Sequence, residues 1–133
     1  MAEAGVVPIL FAGEDEPTED ALEQTVRRLA DGLERVELAR VEVMVVYEPT
    51  WAIGADRPAH AGHVEDVVAQ LKARLRELGS PDTRVIYGGT VNARNVDQFA
   101  ALAILDGVGA TRAGLDPDEF LRIVDRLAAA GAG

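Results

Sequence analysis

Four short apolar runs alternate with four amphipathic stretches along this 133-residue chain, and the alternation restricts its fold more than any other feature. Each run has the length of a strand, and each following stretch places apolar residues at the spacing of a helix face. Such alternation predicts parallel strands joined by right-handed crossovers. We therefore predict an α/β fold of four parallel βα units in a single domain over residues 1–133, with strands at residues 6–13, 41–47, 84–87 and 106–110.

The boundaries of several elements follow from local signals. Residues 6–13 are apolar throughout and end in glycine, which predicts a buried strand. Thr18 precedes two acidic residues, so we expect it to cap the first helix. The third helix is expected over residues 95–103. Asp116 and Pro117 supply a cap and a first-turn proline for the last helix.

The charge and composition of the chain exclude several classes of partner. The formal net charge is −10, which argues against binding to nucleic acid or to an anionic membrane. No apolar run has the length that a membrane span needs, and there is no cysteine for disulfide or thiolate chemistry. We expect a cytoplasmic protein. A small phosphorylated ligand remains compatible with the acidic chain, because local amides and one arginine can hold a phosphate.

Four segments together resemble one known family. The sequence YEPTWAIG at residues 47–54 is similar to the sixth strand and flexible lid of triosephosphate isomerases, and RVIYGGTVN at 84–92 to their seventh strand and loop. Residues 7–14 resemble the fifth strand, and residues 106–120 the eighth strand with its short helix. The segments occur in the order of the family. The resemblance therefore implies half of a TIM (β/α)8 barrel, the C-terminal half with strands five to eight.

The resemblance also implies roles for residues at the carboxyl ends of the strands. It makes Glu48 the base that moves a proton between adjacent carbons of an aldose or ketose phosphate. It assigns the lid, its hinges and its latch to Pro49, Trp51, Ile53, Ala59 and Tyr87. It assigns the binding of the phosphate to Gly54, Gly89, Thr90, Thr111 and Arg112. The implied ligand is a small sugar phosphate, and no cofactor or metal is implied.

Several positions depart from the pattern of the family. Thr111 and Arg112 replace a glycine pair whose amides hold the phosphate, and Arg112 either offers its guanidinium to the phosphate or points to solvent. An arginine at this position is similar to the branch of the superfamily that isomerises tetrulose phosphates. Gly109 replaces a leucine that presses on the glutamate, so we expect Glu48 to be a weaker base than in the family. Asp56 brings a negative charge to the lid tip.

The remaining basic side chains have no expected role in catalysis. His60 and His63 lie where the lid leads into the second helix, and we expect both to be solvated. Lys72 lies in the middle of that helix and is expected to be a solvated charge. In the family, the catalytic lysine and the histidine that polarises the carbonyl belong to the first half of the barrel. The resemblance thus implies little or no isomerisation by this chain alone.

Four parallel strands with helices outside leave two sheet edges and one sheet face uncovered, which favours association. Three arrangements would cover them: a homodimer, a complementary N-terminal half-barrel chain, or a flattened, doubly wound layer. Three functions remain open. The chain is an isomerase half that works when completed by a partner, a module that binds a phosphate or sugar phosphate without turnover, or a purely structural half-barrel.

Overall fold

The structure is a computed structural model that describes residues 5–131. One sheet contains four parallel strands in chain order: β1 (Ile9–Ala12), β2 (Met44–Tyr47), β3 (Arg84–Tyr87) and β4 (Gly107–Val108). They alternate with four helices: α1 (Ala21–Leu33), α2 (Ala61–Glu77), α3 (Val96–Ala100) and α4 (Pro117–Gly131). Short 3₁₀ turns occupy Thr50–Ala52 and Ala113–Leu115. The prediction of an α/β fold with four parallel βα units is confirmed.

All four helices cover the same face of the sheet. Side chains alternate between the two faces of a strand, and Val45, Tyr47, Val85 and Tyr87 belong to one buried cluster with residues from every helix, among them Leu29, Leu71, Phe99 and Ile123. Right-handed crossovers between consecutive neighbouring strands place every helix on one side. Within residues 5–131 no helix covers the second face, so a flattened doubly wound layer is not the arrangement observed.

The other face of the sheet is open where β1 forms the edge. Ile9 and Phe11 are 53% and 58% exposed, although Val46 at the same level of β2 is buried. The prediction that residues 6–13 form a buried strand is therefore wrong for this face. An apolar run indicates that both faces of a strand are suited to burial, but within the described residues only the helix side is covered.

Two helix predictions also need correction. Helix α1 begins at Ala21 without a side-chain cap, because the Thr18 hydroxyl donates to Asp20 Oδ1 at 2.5 Å. Helix α3 is limited to five residues. The predicted start of α4 is confirmed, since Asp116 Oδ1 accepts the amides of Asp118 and Glu119 at 2.9 and 3.1 Å. In the part of the chain that the structure describes, no helix has the length and hydropathy of a membrane span.

Candidate active site

The carboxyl ends of the strands bring the predicted site residues to one edge of the sheet. Backbone bonds continue the ladder past the strands, with the Glu48 amide donating to the Ala12 carbonyl at 2.9 Å and the Gly88 amide to the Tyr47 carbonyl at 2.8 Å. Glu48 thus follows β2 directly, and its backbone is held between the ends of β1 and β3. A Cβ atom on Gly88 would lie 2.5 Å from Val46 Cγ1 and 3.3 Å from Glu48 Oε1, so the glycine leaves room for both side chains.

The environment of Glu48 favours the protonated form of its carboxyl group. Its side chain is partly buried, and this burial raises the pKa of Glu48 above its ordinary value. A raised pKa makes the carboxylate a stronger proton acceptor at neutral pH than a solvated glutamate.

A cavity of about 270 Å³ lies beside Glu48, and the predicted phosphate-binding residues line it together. It is lined by Ile53 and by all five of those residues: Gly54, Gly89, Thr90, Thr111 and Arg112. Glu48 is not among the lining residues, but Gly88 belongs to both the cavity wall and the surroundings of the carboxylate. The strand-end carboxylate and the cavity are therefore adjacent, with Gly88 between them.

Arg112 and Gly54 lie next to one another in the wall of this cavity. Gly54 has a φ of 71°, a conformation that side chains disfavour, and a Cβ atom built there would lie 3.3 Å from Arg112 Nη2. Arg112 is exposed, and within residues 5–131 no carboxylate forms an ion pair with it. The guanidinium is thus free to meet an anion beside the lid backbone.

Direct hydrogen bonds connect the segment of residues 49–59 to β3 and to the loop that follows it. The Ala59 amide donates to the Tyr87 hydroxyl at 2.9 Å, and Thr90 Oγ1 donates to the Ala52 carbonyl at 2.8 Å. Burial raises the pKa of Tyr87 to about 12, which keeps its hydroxyl protonated at neutral pH. Pro49 is buried and Trp51 half-buried at the start of this segment, whereas Ile53 at its tip is 55% exposed.

Sequence reasoning missed the buried Glu14, which lies two residues after β1. The side chain of Glu14 is fully buried, with four donors around its carboxylate. Oε1 accepts from Tyr47 Oη at 2.9 Å, Trp51 Nε1 at 3.0 Å and His63 Nε2 at 3.0 Å, and Oε2 accepts from Thr25 Oγ1 at 2.8 Å. The sequence signal that could have identified Glu14 is its position directly after a strand and the glycine that closes it.

These donors keep Glu14 ionised. Burial alone would raise the pKa of Glu14, but the hydrogen bonds from His63, Thr25, its own backbone and Trp51 together lower it below the ordinary value. The carboxylate therefore carries its charge inside the protein and joins α1, β2, the Trp51 turn and α2 at a single point.

Two of the three basic side chains expected to be solvated are engaged. His63 contacts buried Glu14 and is 31% exposed, so its prediction is wrong. Lys72 is also not a free charge, because Lys72 Nζ lies 2.7 Å from Asp106 Oδ2. His60 is exposed as predicted, and its Nδ1 accepts the Gly62 amide at 3.2 Å. Glu14 and Asp106 lie far from His63 and Lys72 in the sequence, so the periodicity of the helix does not predict these pairs.

Beyond Glu48 and the cavity, the described residues supply few further groups for chemistry. No cluster of three histidine, aspartate or glutamate side chains within residues 5–131 has the geometry to hold a metal ion. Lys72 pairs with Asp106 and His63 with Glu14, whereas His60 is exposed. None of the three lines the cavity.

Comparisons with known proteins agree with these features. The family model described as triosephosphate isomerase matches residues 1–127. The chain is 36% identical over 137 aligned positions to the triosephosphate isomerase of Rhodococcus jostii, covering 96% of this chain and 51% of that protein. It is 35% identical over 127 positions to that of Streptomyces avermitilis, covering 90% and 49%. For that of a Synechococcus species the identity is 33% over 132 positions, covering 97% and 50%.

The match covers nearly the whole chain but only part of each relative. The chain spans about half the length of the curated relatives it matches. The fold agrees with this extent, since the four parallel βα units are half the number in a (β/α)8 barrel. Family model, relatives and fold lead to one conclusion: this chain belongs to the triosephosphate isomerase family.

Proposed function

We propose that this chain is the C-terminal half of an aldose–ketose phosphate isomerase in which Glu48 is the base. The observation that carries the proposal is the partly buried Glu48 carboxylate beside a cavity that unites the lid tip with Gly54, Thr90 and Arg112. Glu48 takes a proton from the carbon next to the carbonyl and returns it to the neighbouring carbon. The cavity holds the phosphate of the substrate while the lid excludes water.

We further propose that turnover requires a complementary N-terminal half-barrel chain or a second copy of this chain. Proton abstraction next to a carbonyl develops negative charge on its oxygen, and stabilising that charge is a large part of catalysis. No lysine or histidine of the described residues lines the cavity, and the open sheet face with exposed Ile9 and Phe11 suits a partner. The complementary half is the better candidate, because the resemblance assigns the lysine and the polarising histidine to it.

The identity of the substrate depends on Arg112. A guanidinium fork binds a phosphate through two parallel hydrogen bonds, whereas backbone amides alone require close approach of the chain. Arg112 reaches the cavity from the position where the family has glycine, so we propose a phosphate held partly by this side chain. A tetrulose phosphate and a triose phosphate are the two substrates to compare.

We propose a cytoplasmic location for the protein, which fits the lack of cysteine.

The test is an isomerase assay on the chain alone and on its mixture with a complementary half. That half consists of the βα units of the Rhodococcus jostii relative outside the region matched by this chain. We expect no turnover by the chain alone and measurable turnover by the mixture. Glu48→Asp should lower the rate of the mixture by about 10²-fold or more, because it withdraws the carboxylate from the reacting carbon.

Glu65→Asp, an equivalent change on the exposed side of α2, is the control and should leave the rate unchanged. A mixture in which Glu48→Asp retains the parent rate would refute Glu48 as the base. Turnover by the monomeric chain would refute the requirement for a partner.

A second function, binding of a sugar phosphate without turnover, is favoured by one observation. The cavity has an exposed arginine that pairs with no carboxylate in the described part of the chain. Its lining contains no lysine or histidine that could protonate the carbonyl oxygen. Saturable binding of glycerol phosphate, combined with an inactive mixture, would support this function in place of the isomerase.

A further inference from the structure

The loop that follows β3 contains two runs of backbone amides that differ in their hydrogen bonding. The amides of residues 92–94 each donate to a side-chain oxygen, at 2.9, 2.8 and 2.9 Å. The acceptors are Asn95 Oδ1, Glu119 Oε1 and Asn92 Oδ1, in that order. The amides of residues 89–91 donate to no acceptor within residues 5–131, and all three residues line the cavity. Their N–H groups are therefore available to an anion.

Asn95 contacts the loop on both sides of the boundary between these two runs. Its Nδ2 donates to the Thr90 carbonyl at 3.0 Å, and its Oδ1 accepts the Asn92 amide. One half-buried side chain thus holds the residues before and after Val91. Asn95 is not among the residues that line the cavity, so any effect that it has on the cavity passes through the loop.

The bond to the Thr90 carbonyl determines the direction of the next amide. The Thr90 carbonyl and the Val91 N–H belong to one trans peptide unit, so they point in opposite directions. Holding the carbonyl oxygen towards Asn95 therefore turns the Val91 N–H away from Asn95. The same bond occupies an oxygen whose partial negative charge would repel a phosphate.

Thr90 is also held from its side chain. Thr90 Oγ1 donates to the carbonyls of Ala52 and Ala55 at 2.8 and 3.2 Å. The backbone bond to Asn95 and these side-chain bonds fix Thr90 between the segment of residues 49–59 and the start of α3. A shift of the Thr90 backbone would therefore change the wall of the cavity and its contact with that segment together.

We propose that Asn95 is a positioning residue for the anion cavity, which orients the Val91 amide for a bound phosphate. The inference rests on the proposed role of the cavity in holding the phosphate of the substrate. Without the Asn95 side chain, the Thr90 carbonyl and the Asn92 amide lose their partners. The loop then has more conformations, and the binding of a phosphate must restrict them.

The experiment is a titration of the isotope-labelled full chain with glycerol phosphate, followed through its amide resonances by NMR. In the wild type, the amides of residues 89–91 should shift saturably with one Kd. The side-chain amide of Asn95 should shift with the same Kd, because a phosphate on the Val91 N–H polarises the Thr90 carbonyl and strengthens its bond to Nδ2. Asn95→Ala should raise the Kd about tenfold.

Ser80→Ala is the control, because it also removes a loop hydrogen bond, the one of 2.8 Å between Ser80 Oγ and Thr83 Oγ1 before β3. Each variant is titrated under conditions in which its unfolding curve shows a folded chain. Ser80→Ala should bind as the wild type does. Equal Kd values for the wild type and Asn95→Ala, or an equal loss of affinity in Ser80→Ala, would overturn the proposal.

The wild-type titration also provides a test that needs no variant. If Asn95→Ala does not fold, an Asn95 side-chain resonance that ignores saturating glycerol phosphate overturns the proposal, and one that shifts with the loop amides supports it. No saturable shift in the wild type would refute the phosphate cavity and this inference together. Turnover is not measured, so an inactive mixture with the expected NMR result refutes only the proposed chemistry.

Discussion

At the scale of single residues, Glu14 shows how the molecule holds a charge in its interior. A buried carboxylate without partners is costly, and one whose oxygens accept several hydrogen bonds is tolerated. Glu14 meets this condition by accepting from four side chains that belong to four different segments. Its contribution is therefore both a local hydrogen-bond network and a connection between elements far apart in the sequence.

Glu14→Gln should destabilise the fold in a manner that depends on pH. The amide removes the charge from all four bonds, and we expect a loss of about 1–3 kcal/mol in the free energy of unfolding at pH 7. Because folding lowers the pKa of Glu14, its stabilisation is complete above the ordinary value of 4.5 and disappears as the pH falls through the folded value. Urea unfolding at pH 7 and below pH 4 should show the gap between variant and wild type narrowing in acid. A gap that stays constant or widens would contradict this account.

Arg112→Met should weaken the binding of a phosphate ligand. A hydrogen bond to a charged group contributes about 1.5–3 kcal/mol, so we expect the Kd for glycerol phosphate to rise roughly 10- to 100-fold. Titration followed by calorimetry or NMR measures this constant without any need for turnover. Arg76→Met, on the exposed surface of α2, is the control and should bind as the wild type does. If Arg112→Met and Arg76→Met bind glycerol phosphate with equal affinity, Arg112 points to solvent and does not contact the phosphate.

At the scale of elements, close contact between strand ends determines where the base lies. A Cβ atom on Gly13 would lie 2.1 Å from the carbonyl oxygen of Glu48, far inside any permitted contact. The glycine after β1 therefore allows the backbone of Glu48 to approach. By contrast, a Cβ on Gly109 after β4 would meet its nearest atoms at 3.7 and 3.8 Å, which is ordinary van der Waals contact.

Gly13→Ala and Gly109→Ala should therefore differ strongly. The first must push β1 and β2 apart at their ends, and we expect a loss of about 1–3 kcal/mol in unfolding free energy together with a displaced Glu48. The second removes freedom mainly from the unfolded chain and should be neutral or slightly stabilising. Urea denaturation of both variants provides the comparison. Similar stabilities would mean that the strand ends are further apart than described.

The elements also show what the sequence can and cannot predict. Strand β3 was predicted with its observed bounds and the end of β2 at Tyr47 was correct, because short apolar runs closed by a loop signal are local features. The motifs at the strand ends predicted five phosphate-binding residues, and the structure brings all five together in the wall of one cavity. Glu14, His63 and Lys72 were missed or misjudged, since each is defined by a partner 34 or more residues away or by several partners at once.

At the scale of the whole molecule, no helix among residues 5–131 covers the second face of the sheet. Helices occupy the face that carries Val45 and Val85, while Ile9 and Phe11 of β1 remain exposed on the opposite one. More exposed apolar side chains lie at the other edge of the sheet on and before α4: Leu115, Phe120, Leu121 and Val124. Both edges of the sheet therefore present apolar surface, as expected if the proposed partner docks there.

Phe11→Glu should accordingly reduce association without unfolding the chain. Phe11 is 58% exposed, so a glutamate there costs little in the isolated fold but places a charge inside any interface on the open face. We expect the wild type to sediment above its chain mass of 14.1 kDa and the variant to sediment at that mass. Gln70→Glu adds the same charge on the exposed side of α2 and should leave the wild-type mass unchanged.

If the wild type is monomeric, the same two variants test binding to the complementary half. Phe11→Glu should then fail to bind that half, whereas Gln70→Glu should bind it. Equal binding by both variants would show that the open face is not the interface.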